Sequence, residues 1–285
     1  MRIVIINLII ISLLIILTEL TIRILKISQV QGVERNLFNL EGEIVLNQSN
    51  TEAVIFGKKA YIDKNGFRVP KKNYDYEYNT SLLILGDSVS FGVGIQENKT
   101  FPGILRKKLK TNIYNASVAG HNLSDYSILI KDYHKNFDDI SRIFIFVCLN
   151  DVHFSKGIVK NIEIKEKKNE LFYVKILRKV NVYLRNKSAL FVFLKSKFTK
   201  SDERHFNLLD DYYKDPNVLK KYKDIIFNKN SFSISKNLKV NYVMLPYSFQ
   251  IKNNCNSEVL LPQKKIKKIF SDLNIEIYDL TNKFC

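Results

Sequence analysis

Nucleophilic attack by a hydroxyl requires a rigid edge to carry it, donors around the atom that gains charge, and a base to take the proton. Ser88 meets the first requirement. It follows Ser81 to Leu85 (SLLIL), a short apolar run that stops at Gly86-Asp87, so the run reads as a buried strand ending in a turn. The serine then lies at the carboxyl edge of a sheet, where α/β folds carry their sites. Gly86 permits a tight turn, and Gly92 and Gly94 keep the next loop thin. At the start of a helix, backbone amides favour developing negative charge. No Gly-x-Ser-x-Gly occurs, so the nucleophile elbow of lipases is not matched. Taken alone, Gly-Asp-Ser reads equally well as a polar turn.

The elements that must position Ser88 follow from hydrophobic periodicity. Phe101 to Lys110 has helical spacing, with Ile104 and Leu105 apolar and Lys107, Lys108 and Lys110 on the wet side. Asn112 to Ala116 is a second short strand. Ser124 to Lys135 reads as a helix with Ser124 as its N-cap. Arg142 to Cys148 (RIFIFVC) is apolar on both faces, as a central parallel strand should be. Val240 to Leu245, closed by Pro246, is a fourth strand. Gln263 to Leu273 is a helix, and Ile275 to Tyr278 a fifth strand. Strands alternating with helices predict a doubly wound α/β fold. The expected architecture is flavodoxin-like, a three-layer α/β/α sandwich on a parallel five-stranded sheet. Ser88, Gly120 and Asn150 each follow a predicted strand and are expected to converge at its carboxyl edge.

The string around Ser88 carries more. Leu85 to Ile95 (LGDSVSFGVGI) resembles the first block of the SGNH/GDSL hydrolases. Asn115 to Gly120 (NASVAG) looks like the second block and Asn150-Asp151 like the third, in the right order. Asn65-Gly66-Phe67-Arg68 resembles a segment that precedes the domain in membrane-anchored members. The resemblance implies that Ser88 is the nucleophile and that Ser88 and Gly120 offer backbone N–H groups to the oxyanion. It implies Asn150 as the third donor, through its side-chain amide. Asp87 is expected to hold the turn, and Asp151 to fix the loop that aims Asn150. No metal or other cofactor is implied.

Two departures from the family pattern stand out. Cys148 occupies the place of the glycine that usually precedes the third block's asparagine by two residues. The family's base comes from an Asp-x-x-His after the last strand, but here Asp279-Leu280-Thr281-Asn282-Lys283-Phe284-Cys285 ends the sequence. The economical expectation is a C-terminally incomplete chain whose Asp-x-x-His lies further on. The four histidines, His121, His134, His153 and His205, are all upstream. Asp202-x-x-His205 has the right spacing, but chain order, inside a polar insertion before the fourth strand, argues against it. His121 and His153 are expected near the pocket, facing substrate or solvent rather than Ser88, and His134 on a helix surface. Three functions compete: an acyl-ester hydrolase acting on lipid or cell-surface glycan through an acyl-Ser88 intermediate, an O-acyl transferase to polysaccharide, and a non-catalytic binding protein that has lost its base.

The rest of the chain bounds these readings. Its 285 residues, 46% hydrophobic and 26% charged, suit one globular domain of roughly 200 residues plus extras. Ile3 to Ile22 is long and apolar enough to span a bilayer, with no small-residue cleavage site after it, so residues 1–25 read as a retained anchor. Orientation is ambiguous from Arg2, Arg23, Lys26 and Arg35; the resemblance favours an external domain. Residues 26–78 read as a stem and 79–285 as the hydrolase-type domain. The net charge of +17 points to anionic lipid or glycan rather than nucleic acid. A helical insertion covers about 154–235. Its segment Lys156 to Lys200 carries thirteen Lys or Arg against three Glu. Leu171, Val174, Leu177 and Leu184 mark an apolar stripe there, with Lys175, Arg178, Lys179 and Arg185 off it. It reads either as a solvated helix packed on the sheet or as a basic lid against a membrane or acidic substrate. Cys148, Cys255 and Cys285, three and widely spaced, indicate neither a disulfide framework nor a zinc site.

Overall fold

A computed structural model describes residues 2–41, 44–152, 172–235 and 239–285. The chain begins with helix α1 (Arg2–Ile24), long and apolar enough to cross a membrane and packed on almost nothing along its length. A small hairpin follows, β1 (Phe38–Glu41) and β2 (Ile44–Asn47). Next come three short strands, β3 (Glu52–Ile55), β4 (Lys58–Ile62) and β5 (Arg68–Val69). The expected runs then appear as β6 (Ser81–Leu85), β7 (Asn112–Asn115), β8 (Ile140–Val147), β9 (Val240–Met244) and β10 (Ile277–Asp279). Among the described residues the main sheet runs β10-β9-β8-β6-β7-β5-β4-β3. The five strands from β6 onward pair in parallel, as the alternation of strand and helix predicts.

Helix α2 (Ser88–Phe91) is one turn at the end of β6, and α3 (Phe101–Lys108) crosses to β7. Helix α4 (Leu123–Asn136) leads from β7 to β8. Among the described residues between β8 and β9 are four longer helices, α5 (Phe172–Lys187), α6 (Ala189–Phe198), α7 (Ser201–Lys214) and α8 (Pro216–Ser235). Then follow α9 (Ser248–Lys252), α10 (Leu261–Asp272) and, after β10, α11 (Thr281–Phe284). One sheet face packs Leu83, Ile145 and Met244 against Tyr126, Tyr222 and Phe270 of α4, α8 and α10. The other carries Ile84, Phe146 and Val243 under Phe101 and Leu105 of α3. Past α3 that face opens into an apolar groove of about 580 Å³ between Leu82, Phe144, Val243, Tyr278, Leu280 and Phe284.

Four expectations need correction. The stretch 26–78 does not stand apart as a stem, because β5 pairs antiparallel with β7, β4 with β5 and β3 with β4, extending the main sheet. Its inward positions alternate, Ala53 and Ile55 against Ala60 and Ile62, and all four are buried. The alternation is broken in sequence by a turn at Phe56-Gly57, where both residues have positive φ. Helix α4 is capped by Asn122 rather than Ser124. Asn122 Oδ1 accepts the Ser124 N–H at 2.8 Å, and Asp125 Oδ2 accepts the Asn122 N–H at 2.8 Å, a reciprocal capping box. On α5 the stripe holds in part: Val174 and Leu184 are half-buried, but so are Lys175, Arg178 and Arg185, and Leu177 is exposed; Leu171 lies outside the described residues. Finally, Cys255 and Cys285 form a disulfide with Cα atoms 5.9 Å apart. Pairing across 30 residues of sequence brings α11 beside the turn after α9, a proximity that spacing alone did not show.

This cross-link closes a loop holding α10 and β10. Replacing Cys255 and Cys285 by serine is expected to lower unfolding stability by about 3–4 kcal/mol for a loop of this length, read as a lower urea midpoint in detergent. An unchanged midpoint would show that the bridge constrains nothing.

Candidate active site

The three residues singled out at strand ends come from neighbouring strands. In the order β8-β6-β7, Asn150 follows β8, Ser88 follows β6 and Gly120 follows β7. Each is half-buried, while Asp87, Ser90, Asn115 and Asp151 around them are buried. The polar framework is therefore sealed and these three positions are left reachable. Gly86 makes the turn possible, since a Cβ there would lie 2.6 Å from the Cβ of Ser90. Gly120 adopts φ 91, a conformation that side chains disfavour.

Asp87 joins two of the loops. Its Oδ1 accepts the Val89 N–H at 2.9 Å, capping α2, and its Oδ2 accepts a hydrogen bond from Asn150 Nδ2 at 2.8 Å. One amide proton of Asn150 is thus committed to Asp87, which leaves the second to donate elsewhere. Asp151 secures the short 3-10 turn Leu149–Val152 that carries Asn150. It accepts from the Cys148 N–H at 3.0 Å and from the Tyr126 hydroxyl at 3.1 Å. Tyr213 of α7 donates to the Leu149 carbonyl at 2.9 Å from the other side. The second block is tied to the first in the same way. The Val118 N–H donates to Gly86 O at 3.1 Å, and Asn115 Nδ2 donates to Ser90 O at 3.2 Å.

Cys148, standing where the family pattern has glycine, fits because its thiol lies in the apolar cluster with Ile84 and Phe146. Burial, and then the Asp87 and Asp151 carboxylates, push that thiol well above its ordinary range, so it stays neutral and unreactive.

Arg68 is a functional-looking residue that sequence reasoning passed over. It is wholly buried and donates through Nη1 to the carbonyls of Phe91 and Gly92, the latter at 2.8 Å, and through Nη2 to Ile95 O at 2.6 Å. Its guanidinium also lies 4.5 Å from the centre of the Phe91 ring. It collects the carbonyls at the end of α2 and of the loop that follows, so it holds the turn that presents Ser88. The signal was present in Asn65-Gly66-Phe67-Arg68, but an arginine in a polar stretch looks solvated.

The histidines are distributed as follows. His121 is buried, not facing solvent as expected. Its Nε2 bonds the Val45 carbonyl of β2, which therefore accepts, so Nε2 carries the proton and the hairpin covers the ring. Burial holds its pKa below the ordinary imidazole value, and Nδ1 has no hydrogen-bond partner. His205 is exposed on α7, with its ring centre 5.5 Å from that of Tyr247 just after β9. That location is on the carboxyl rim, which chain order had not predicted. Asp202 pairs with Lys252, and that hydrogen bond holds its carboxyl below the usual range. Tyr247, between Asp202 and Asp87 electrostatically, is pushed up to about 12 by burial and then by those carboxylates, so it remains a neutral hydroxyl. His153 lies outside the described residues, and His134 belongs to α4. Among the described residues no histidine hydrogen-bonds Ser88. Asp279 Oδ1 accepts the Thr281 N–H at 2.9 Å, capping α11. Nor do the described residues contain a cluster suited to a metal.

No family model and no curated protein matches the chain. Among solved structures it is similar to a lipolytic protein of the G-D-S-L family from Desulfitobacterium hafniense DCB-2, at 13% identity over 70% of this chain and 77% of the other, with a TM-score of 0.39. It is similar to AlinE4, an SGNH-hydrolase family esterase, at 10% identity over 71% and 77%, TM-score 0.38. The acetyl xylan esterase AlAXEase aligns at 14% identity over 72% and 79%, TM-score 0.39.

The buried His121 makes folding sensitive to acid. Its folded pKa is depressed, so below the unfolded value of about 6.5 the unfolded chain binds a proton that the native chain refuses. Its contribution is present above that pH and is lost as pH falls. The melting temperature is expected to drop between pH 7.5 and 5.5, and His121→Gln to flatten part of that drop. Equal slopes for the two proteins would remove His121 from the account.

Proposed function

We propose that the chain is a serine ester hydrolase of the SGNH type, with Ser88 as nucleophile. The observation that carries the reading is the sealed polar framework at the ends of β8, β6 and β7, which leaves Ser88, Gly120 and Asn150 reachable and ties Asn150 to the Ser88 turn through Asp87. Ser88 attacks the carbonyl carbon as a base takes its proton. The carbonyl oxygen gains charge and is met by the N–H groups of Ser88 and Gly120 and by the second amide proton of Asn150. The alcohol leaves, protonated, and water then cleaves the acyl-Ser88 ester. A sugar hydroxyl in place of that water would make the same site a transferase. Our candidate base is His205, an exposed histidine whose ring lies 5.5 Å from that of Tyr247 just after β9, whereas His121 is buried with its Nε2 committed to Val45 O.

We further propose that α1 is a retained anchor and that the domain lies outside the cytoplasm. A disulfide between Cys255 and Cys285 supports that side, since such bridges persist in oxidising compartments.

The test is turnover of a short-chain aryl ester by the full chain in detergent, with labelling by a fluorophosphonate. Ser88→Ala is expected to abolish both. Asn150→Ala should lower kcat by about 10²–10³, the usual loss for one oxyanion donor. Arg68→Met, which removes the clamp on α2, should lower kcat together with stability by about 2–3 kcal/mol. His205→Gln separates the base from bystanders, because loss of a true base leaves KM nearly unchanged, lowers kcat and removes the acid limb of its pH profile. Turnover by Ser88→Ala equal to that of the natural chain would refute the assignment.

A further inference from the structure

Helix α5 exposes an apolar face that is broad for a helix of a soluble protein. None of its residues is buried. Seven large apolar side chains are exposed: Phe172 at 78%, Tyr173 at 59%, Ile176 at 45%, Leu177 at 63%, Val180 at 46%, Val182 at 43% and Tyr183 at 63%. At 3.6 residues per turn all but Val182 share less than half the circumference. The half-buried positions are Val174, Lys175, Arg178, Asn181, Leu184 and Arg185, four polar and two apolar. Water is a poor solvent for such a face.

The junction between α5 and α6 is fastened to the last turns of α1. The Glu19 carboxylate accepts from the Ser188 hydroxyl at 2.8 Å and from the N–H groups of Ala189 and Leu190 at 2.9 and 2.8 Å, so it caps α6. Arg23 bonds Glu19 at 2.6 Å and donates to the Lys187 carbonyl at 2.6 Å. Gln31, beyond α1, exchanges hydrogen bonds of 2.9 Å with Arg185 through its N–H and its side-chain oxygen. A helix of 23 residues is about 34 Å long and the hydrocarbon layer about 30 Å thick, so Glu19 and Arg23 fall where lipid meets water. The carboxyl end of α5, held by Arg23, falls there too.

We propose that the outward face of α5, with the exposed Phe198 end of α6, lies in the interface of the bilayer that α1 spans, on anionic phospholipid. This inference rests on α1 being an anchor. Tyr173 and Tyr183 have the amphipathic rings that suit the headgroup level, and exposed Lys179, Lys187 and Lys197 border the apolar face, where acidic headgroups would sit. The net charge of +17 favours the same surface.

The chain contains no tryptophan, so a single introduced one reports its own surroundings. The full chain carrying Leu177→Trp is reconstituted into phosphatidylcholine vesicles with and without phosphatidylglycerol, using lipids brominated at shallow or deep acyl positions. Leu14→Trp, in the middle of α1, serves as the membrane reference, and Lys268→Trp, exposed on α10, as the aqueous one. Leu177→Trp is expected to be quenched several-fold more by shallow than by deep bromines, matching a depth of about 5–10 Å. The quenching should increase with phosphatidylglycerol, and Tyr183→Trp should repeat the result. Quenching of Leu14→Trp with none of Leu177→Trp beyond the aqueous reference would overturn the inference and leave the anchor standing. A blue-shifted, unquenched Leu177→Trp that varies with protein-to-lipid ratio would overturn it in favour of a second copy on this face. Failure of Leu14→Trp to be quenched would remove the anchor itself.

Discussion

A carboxylate buried from water must have its lone pairs filled, and Asp87 is such a group, with 1% of its surface exposed. Two loops supply the donors, the first turn of α2 and the turn after β8. Because neither can leave without stranding a charge, the ends of two parallel strands are fixed to one another at the point where Ser88 emerges. The third loop, after β7, joins through Asn115 and Val118. The site is thus a consequence of satisfying one charge, and the adjacency of the strands makes that possible.

Support for this junction comes from two sides with different chemistry. Beneath the turn after β8, Tyr126 and Tyr213 use hydroxyls on wholly buried rings, so that each contributes apolar bulk to the core and one polar contact to the loop. Behind α2, Arg68 gathers backbone carbonyls, and Phe91 enters the cluster of Leu37, Ala53, Ile55, Ala60 and Ile62 beneath β3 and β4. The antiparallel strands therefore brace the serine turn from the flank, beyond closing the edge of the sheet.

Much of this was legible in sequence, for identifiable reasons. Strands buried on both faces, such as RIFIFVC and SLLIL, read as unbroken apolar runs, and the turn residues after them marked the edge where the site lies. Strands β3 to β5 were harder to see because each is five residues or shorter and only their inward positions are apolar. Arg68 looked wet because its partners are carbonyls, which leave no trace in side-chain identity. The position of His205 beside Tyr247 could not be read from chain order, since α7 packs on the turn after β8 through Tyr213 only after a long excursion. On α5 the stripe left two directions open, packing on the sheet or facing a membrane, because periodicity shows that a helix has two faces and not which one the protein covers; Val174 and Leu184 are half-buried and Leu177 is exposed.

The clasp of Glu19 and Arg23 on the start of α6 bears on how the molecule would meet its substrate. A domain hung from a membrane by a loose tether sweeps a hemisphere and can visit soluble molecules well away from the surface. One clamped at the base of its anchor has no such reach. Its height and tilt are set by a few hydrogen bonds, and its search becomes lateral diffusion across a plane. With α1 as the proposed anchor, encounter rates would depend on how much substrate lies within that thin layer, and very little on its concentration in the bulk.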